Sequence, residues 1–177
     1  MDTLEDKKSQ YFDCQSSWDD LLHSNHAAEM LSARRCTTLD RPEAEVAMLE
    51  RSLYESCLIS YRRAFNGGQP VIKHQGRGRF RLDNDALKQL LAKKFDTHEM
   101  AYHAAGKIVA HQTTGNGVFP IDNCGVSETE GPLIGITRTI DLRIIAGLRD
   151  TCEILIPHLA KLTTDLAEEI SGLEAAS

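Results

Sequence analysis

The chain predicts a mainly α-helical, single-domain bundle, and three observations lead there. Apolar residues recur at intervals of three and four over long stretches, which is the period of a helix and not the alternation of a strand. Acidic pairs with capping-box spacing, Asp40 with Glu43 and Asp96 with Glu99, stand before two of these stretches. Finally, 177 residues with 41% hydrophobic content can bury one core, and two would be crowded. Residues 17–177 are therefore read as one domain, preceded by a polar, loosely held N-terminus over 1–16.

A first helix is expected from Ser17 as its cap, with Trp18, Leu21 and Leu22 as apolar contacts and Asp19 and Asp20 near the positive end of its dipole. The second, over 41–65, starts with Pro42 in its first turn, where a missing N–H costs nothing. It carries Val46, Leu49, Leu53, Cys57, Tyr61, Ala64 and Phe65 at helical spacing and stops at Asn66-Gly67-Gly68 and Pro70. A short third helix over 84–95 is capped at Asp83 and presents Leu87, Leu90, Leu91 and Phe95 on one face. The fourth runs over 97–111. Residues 113–140 are broken by Gly and Pro, and a short β-hairpin between 117 and 140 is the only sheet foreseen. The last helix, 142–172, bears a seam of Ile145, Leu148, Cys152, Leu155, Leu159, Leu162, Leu166, Ile170 and Leu173. Pro157 lies off that seam and is expected to kink or divide the helix. The seam either covers the domain's own core, the favoured reading for a chain of this size, or pairs with a second copy.

Composition narrows the function. A net charge of −6 argues against a protein that coats nucleic acid with its whole surface. Five cysteines without a CxxC pair support neither a disulfide framework nor a zinc ribbon. The charged start MDTLEDKKSQ lacks the apolar run of a signal peptide, and no window approaches a membrane span, so a soluble cytoplasmic chain is expected. The charge is segregated, however. Residues 62–107 hold ten Lys and Arg against four acids, a local balance of +6 that leaves −12 for the remainder. Within this stretch Arg77, Arg79 and Arg81 follow Arg62 and Arg63 as candidate RNA contacts. The competing reading is a loop of solvated arginines.

The helix over 97–111 concentrates the chemistry. His103, Lys107 and His111 are spaced four and four, so they fall within a sector of roughly 80°. Ala101, Tyr102, Ala105 and Val109 occupy the opposite sector. His98 lies on that apolar side and is read as a core histidine with a satisfied hydrogen bond. No metal or cofactor is expected. His98 and His103 are five apart where a zinc-protease motif needs four, and His103 and His111 are separated by ~12 Å of helical rise. Ser56 and Ser60 lie inside an amphipathic helix, and GRGRF opens no helix to cradle a phosphate.

Two segments carry a family resemblance. LYESCLISYRRAFNGG, Leu53 to Gly68, followed by HEMAYHAAGKIVAH, His98 to His111, resembles a HEPN-type (higher eukaryotes and prokaryotes nucleotide-binding) family. There, a helix ending in SYxRxF precedes one reading H-x6-R-N-K-x-x-A-H. The resemblance implies a small helical bundle, commonly dimeric, of a kind that includes metal-independent ribonucleases of toxin–antitoxin, phage-defence and CRISPR systems. His98 matches the first histidine, Lys107 the lysine, and Ala110-His111 the closing pair. Ala105 stands at the arginine position and Gly106 at the asparagine position. The arginine would clamp the scissile phosphate and stabilise transition-state charge, which alanine cannot do.

Three explanations fit that alanine: a relative that has lost catalysis, a cation supplied by Lys107, Arg62 or Arg63, or an introduced substitution. Because Gly106 departs as well, the first is favoured. The expectation is an RNA-associated protein of a bacterial defence or toxin–antitoxin setting, homodimeric, with RNA and a cognate antitoxin or regulatory protein as partners and weak or lost cleavage. His111, Lys107 and His103 are the candidate catalytic residues, with an imidazole of ordinary pKa near ~6.5 drawing the proton from a ribose 2′-hydroxyl. The alternative is a non-catalytic helical dimerisation or interaction module.

Overall fold

A computed structural model describes the backbone of residues 3–36, 43–67, 69–72, 78–113 and 140–176, with side chains throughout except at 34–36, 43–44 and 107–113. The described residues form five helices and a 3-10 turn: α1 (Leu4–Cys36), α2 (Glu43–Phe65), α3 (Asn84–Leu91), the turn Ala92–Lys94, α4 (Phe95–Thr113) and α5 (Leu142–Ala175). The fold class is mainly α, as the apolar periodicity requires. The hairpin expected between 117 and 140 lies outside the described residues up to Thr139.

The long helices α1 and α5 are the frame, and they run antiparallel. Lys7 meets Glu169 at 2.6 Å near one end, and Arg149 meets Glu29 at 3.9 Å toward the other. α2 packs on α1, and α4 packs on α2 and α5. One core cluster runs through all five helices, from Leu21 and Leu31 of α1 through Leu58 and Tyr61 of α2, Leu87 of α3 and Ala105 of α4 to Leu148 and Leu155 of α5.

The N-terminus corrects the expectation. Residues from Leu4 onward belong to α1, and Ser17 is a buried mid-helix residue, not a cap. The start is fixed at Thr3. Its backbone N–H donates to Asp6 Oδ2 at 2.9 Å while Thr3 Oγ1 accepts from the Asp6 N–H at 3.2 Å, a reciprocal cap at the first turn. The buried face of this half is polar. Asp6, Ser9, Asp13, Ser17, Asp20 and Ser24 recur at three and four residues, all buried. A search for apolar periodicity passes over such a stripe, although its spacing is helical.

α2 meets its expectation, with Tyr54, Cys57, Leu58, Tyr61, Ala64 and Phe65 buried. Asp83 caps α3 by accepting the Ala86 N–H at 2.7 Å. α3 then stops at Leu91, because Ala92 takes a φ of 46°, which a right-handed α-helix cannot continue through. Phe95 consequently opens α4, and Asp96 stands in its first turn instead of capping it. α5 is capped by Asp141, which accepts the Arg143 N–H at 3.0 Å, and continues undivided through Pro157. Its seam faces this chain's own core: Ile145, Leu148, Cys152, Leu155, Leu159 and Leu166 are buried, and only near the end does Leu173 emerge.

Candidate functional site

Between α2 and Asn84, one buried carboxylate of α1 takes two backbone amides. Asp13 Oδ1 accepts the Val71 N–H at 2.8 Å, and Oδ2 accepts the Phe80 N–H at 2.9 Å. Ser9 Oγ adds a longer bond to the Ile72 carbonyl at 3.4 Å. Val71, Ile72 and Phe80 are therefore pinned to α1 as a strap, and the residues that follow, Arg81 to Asn84, line a cleft with α4.

The cleft has a volume of about 480 Å³. Phe65, Phe95 and Tyr102 supply aromatic walls, Arg81, Glu99 and His103 stand at the rim, and His98 forms part of the lining. Arg81, Asp83, Asn84, His98, Glu99 and His103 make more than half of the lining, so the cleft is polar and carries charges of both signs beside its aromatic walls.

His98 is 5% exposed and is held on one side by hydrogen bonds. Its Nδ1 lies 2.9 Å from Tyr61 Oη, which lies 3.0 Å from Thr151 Oγ1, which donates to the Leu148 carbonyl at 2.8 Å. Phe65 packs edge-on to the ring at 4.7 Å, with Phe95 at 5.6 Å and Tyr102 at 6.1 Å. Burial drives its pKa down to about 4, with His103 adding a smaller push in the same direction. The core-histidine expectation holds, with the addition that this core histidine borders a cleft.

The arginines divide. Arg62 lies with its guanidinium carbon 4.7 Å over the Tyr102 ring and donates to the Tyr102 carbonyl at 3.4 Å, so it backs the cleft. Arg81 is exposed at the rim. Arg63 and Arg79 turn instead to α1. Arg63 approaches Asp20 at 3.4 Å, and Arg79 approaches it at 4.0 Å while donating to Ser16 Oγ at 3.0 Å. Burial raises the Asp20 pKa, and the two guanidinium groups oppose that rise. Arg77 lies outside the described residues. The expected patch thus divides: Arg81 lines the cleft, Arg62 is stacked on Tyr102 behind it, and Arg63 and Arg79 are turned to the buried Asp20 carboxylate.

Of the proposed catalytic set, His103 is exposed at the rim. Lys107 and His111 follow on the backbone of α4, and their side chains lie outside those described. The position matched to the family's arginine points elsewhere: Ala105 is completely buried in the core. Gly106 has its own reason, because a Cβ there would collide with the end of the Arg62 side chain. Cys14 and Cys57 are free, buried thiols pushed up to about 12, and burial raises Cys152 as well, so none is a ready nucleophile. Among the described residues no group of three His, Cys, Asp or Glu is placed to hold a metal, and no helix is long and apolar enough to cross a membrane.

Asp13, Tyr61 and Thr151 organise this site without having been singled out by sequence for that task. Only the helical spacing of the Asp and Ser residues in α1 offered a signal. No protein-family model, no curated protein and no solved structure matches the chain.

Proposed function

We propose that this protein is a HEPN-like helical module of a bacterial defence or toxin–antitoxin system that associates with RNA and cleaves it weakly or not at all. The observation that carries the reading is the cleft, which Phe65, Phe95 and Tyr102 line together with Arg81. An unstacked nucleotide is recognised by this chemistry, its base against an aromatic side chain and its phosphate on a bidentate cation. Weak cleavage follows from Ala105. A clamp at that position would have to emerge from the core, and loss of one transition-state donor commonly costs ~10²-fold or more in rate. His103, Lys107 and His111 remain the groups through which residual cleavage would run, and the cytoplasm is the compartment this reading requires.

A second reading, a non-catalytic dimerisation or interaction module, is favoured by one observation. Arg63 and Arg79 are engaged with Asp20, which removes two of the charges expected to face RNA. Anisotropy with a labelled single-stranded oligoribonucleotide across salt concentrations separates the two. Binding is expected, with Arg81→Ala weakening it and lowering the salt slope by a little under one unit, while Arg79→Ala leaves affinity unchanged. A folded protein that binds no RNA at low salt would return the chain to the interaction-module reading.

A further inference from the structure

We infer that His98 is a specificity residue of the cleft, offering an unprotonated Nε2 that accepts a hydrogen bond from an amino group on the edge of a bound nucleobase. The inference rests on the nucleotide-binding reading above and adds which kind of base edge is read.

A count of protons assigns the tautomer. Thr151 has one hydroxyl hydrogen, and the 2.8 Å approach of its Oγ1 to the Leu148 carbonyl oxygen requires it there, since two bare acceptors would repel at that distance. At its other contact Thr151 Oγ1 therefore accepts, and the donor is the Tyr61 hydroxyl at 3.0 Å. With its only hydrogen used, Tyr61 Oη accepts at its contact with His98, so the donor is Nδ1–H at 2.9 Å. A neutral imidazole carries one N–H, which leaves Nε2 as a lone pair. That atom has no hydrogen-bond partner among the described residues, on a ring that is 95% buried and borders the cleft. Nε2 is not one of the fully buried, unpartnered atoms, so solvent reaches it; a ligand that displaces that solvent gains by supplying a donor, because one that does not leaves the acceptor buried and unpaired.

The same geometry orients the ligand. The Tyr61, Thr151 and Leu148 chain fixes the ring plane from the α5 side, and Phe65 and Tyr102 flank it. A planar base lying along these rings would direct its edge to Nε2. Arg81, across the cleft at the rim, is then placed for the phosphate.

Two measurements test this. Imidazole ¹⁵N shifts of the unmodified protein should show His98 protonated at Nδ1 and bare at Nε2, unchanged between pH 5.5 and 8. A protonated Nε2 overturns the inference whatever any variant does. Calorimetry then compares adenosine and cytidine 5′-monophosphates with their analogues lacking the exocyclic amine. The tighter natural nucleotide should lose about tenfold or more in affinity without its amine, and His98→Phe should abolish that difference. Equal binding of nucleotide and analogue overturns the role of His98 while leaving an RNA-binding cleft standing, provided oligoribonucleotide still binds. If neither oligoribonucleotide nor monophosphate binds, the functional reading and this inference fall together.

Discussion

His98 makes the stability of the molecule depend on pH in a definite direction. Its folded pKa of about 4 lies below the ordinary histidine value of 6.5, so the unfolded chain binds the extra proton first as pH falls. The stability contributed by a neutral His98 is complete above about pH 6.5 and is lost progressively between there and about pH 4. At 1.36 kcal/mol for each pKa unit, the loss approaches roughly 3 kcal/mol. Urea unfolding at a series of pH values should show this slope, and His98→Phe should flatten it. At Gly106 two effects nearly cancel. Gly106→Ala gains up to about 1 kcal/mol of helix propensity and displaces the Arg62 guanidinium, losing a cation–π contact of about the same size. The expected outcome is a stability change within about 1 kcal/mol in urea unfolding, accompanied by the same fall in RNA affinity as Arg62→Ala. Ala105→Arg behaves otherwise. It forces a charged side chain into a site with no exposure, and circular dichroism should show an unfolded or strongly destabilised protein, not a restored ribonuclease.

At the scale of elements, Asp13 decides how the strap that leads into the cleft is held. Its two oxygens take two backbone amides, each bond to a charged acceptor being worth roughly 1.5–3 kcal/mol. Asp13→Ala should cost several times the effect of a surface change and release the Val71 and Phe80 amides to fast hydrogen exchange. Asp13→Asn, which keeps one acceptor oxygen, should protect one of them. Retained protection of both in Asp13→Ala would show that the strap is held by packing instead. This element also shows where sequence reading succeeds and where it stops. α2 and α5 were legible because their buried faces are Leu, Ile, Tyr and Phe at helical spacing, and the Asp83 cap of α3 because its chemistry is local. The first half of α1 was not, because its buried face is mostly Asp and Ser, and two of these, Ser9 and Asp13, find their partners about sixty positions away. The break after Leu91 depends on a single backbone angle at Ala92, which no side-chain pattern announces. Of the site, His98 was legible as a core histidine from its place on the apolar side of α4. Its partners Tyr61 and Thr151 lie on two other helices and were brought to it by tertiary packing.

For the whole molecule, the same packing constrains how two copies meet. The α5 seam is the longest apolar run in the sequence and an obvious candidate for self-association, yet the seam residues from Ile145 to Leu159 are buried in the core of the same chain, where α5 packs on α1 and α4. Pairing through them would require α5 to part from α1 and α4. A homodimer of the kind proposed would instead have to use surfaces that are exposed in one chain, and His103 on α4 stands on one such surface. Leu155→Ala distinguishes these arrangements. If the seam serves the core, the substitution should cost about 2–5 kcal/mol of unfolding free energy and leave the sedimentation-derived stoichiometry of the folded protein unchanged. A seam shared between chains would give the other result, in which the variant dissociates on dilution at concentrations where the parent does not. The measurement must follow stability and mass on the same samples. Lost mass with an unfolding transition still as steep as the parent's would place the interface on α5, and lost stability with mass retained would place it elsewhere.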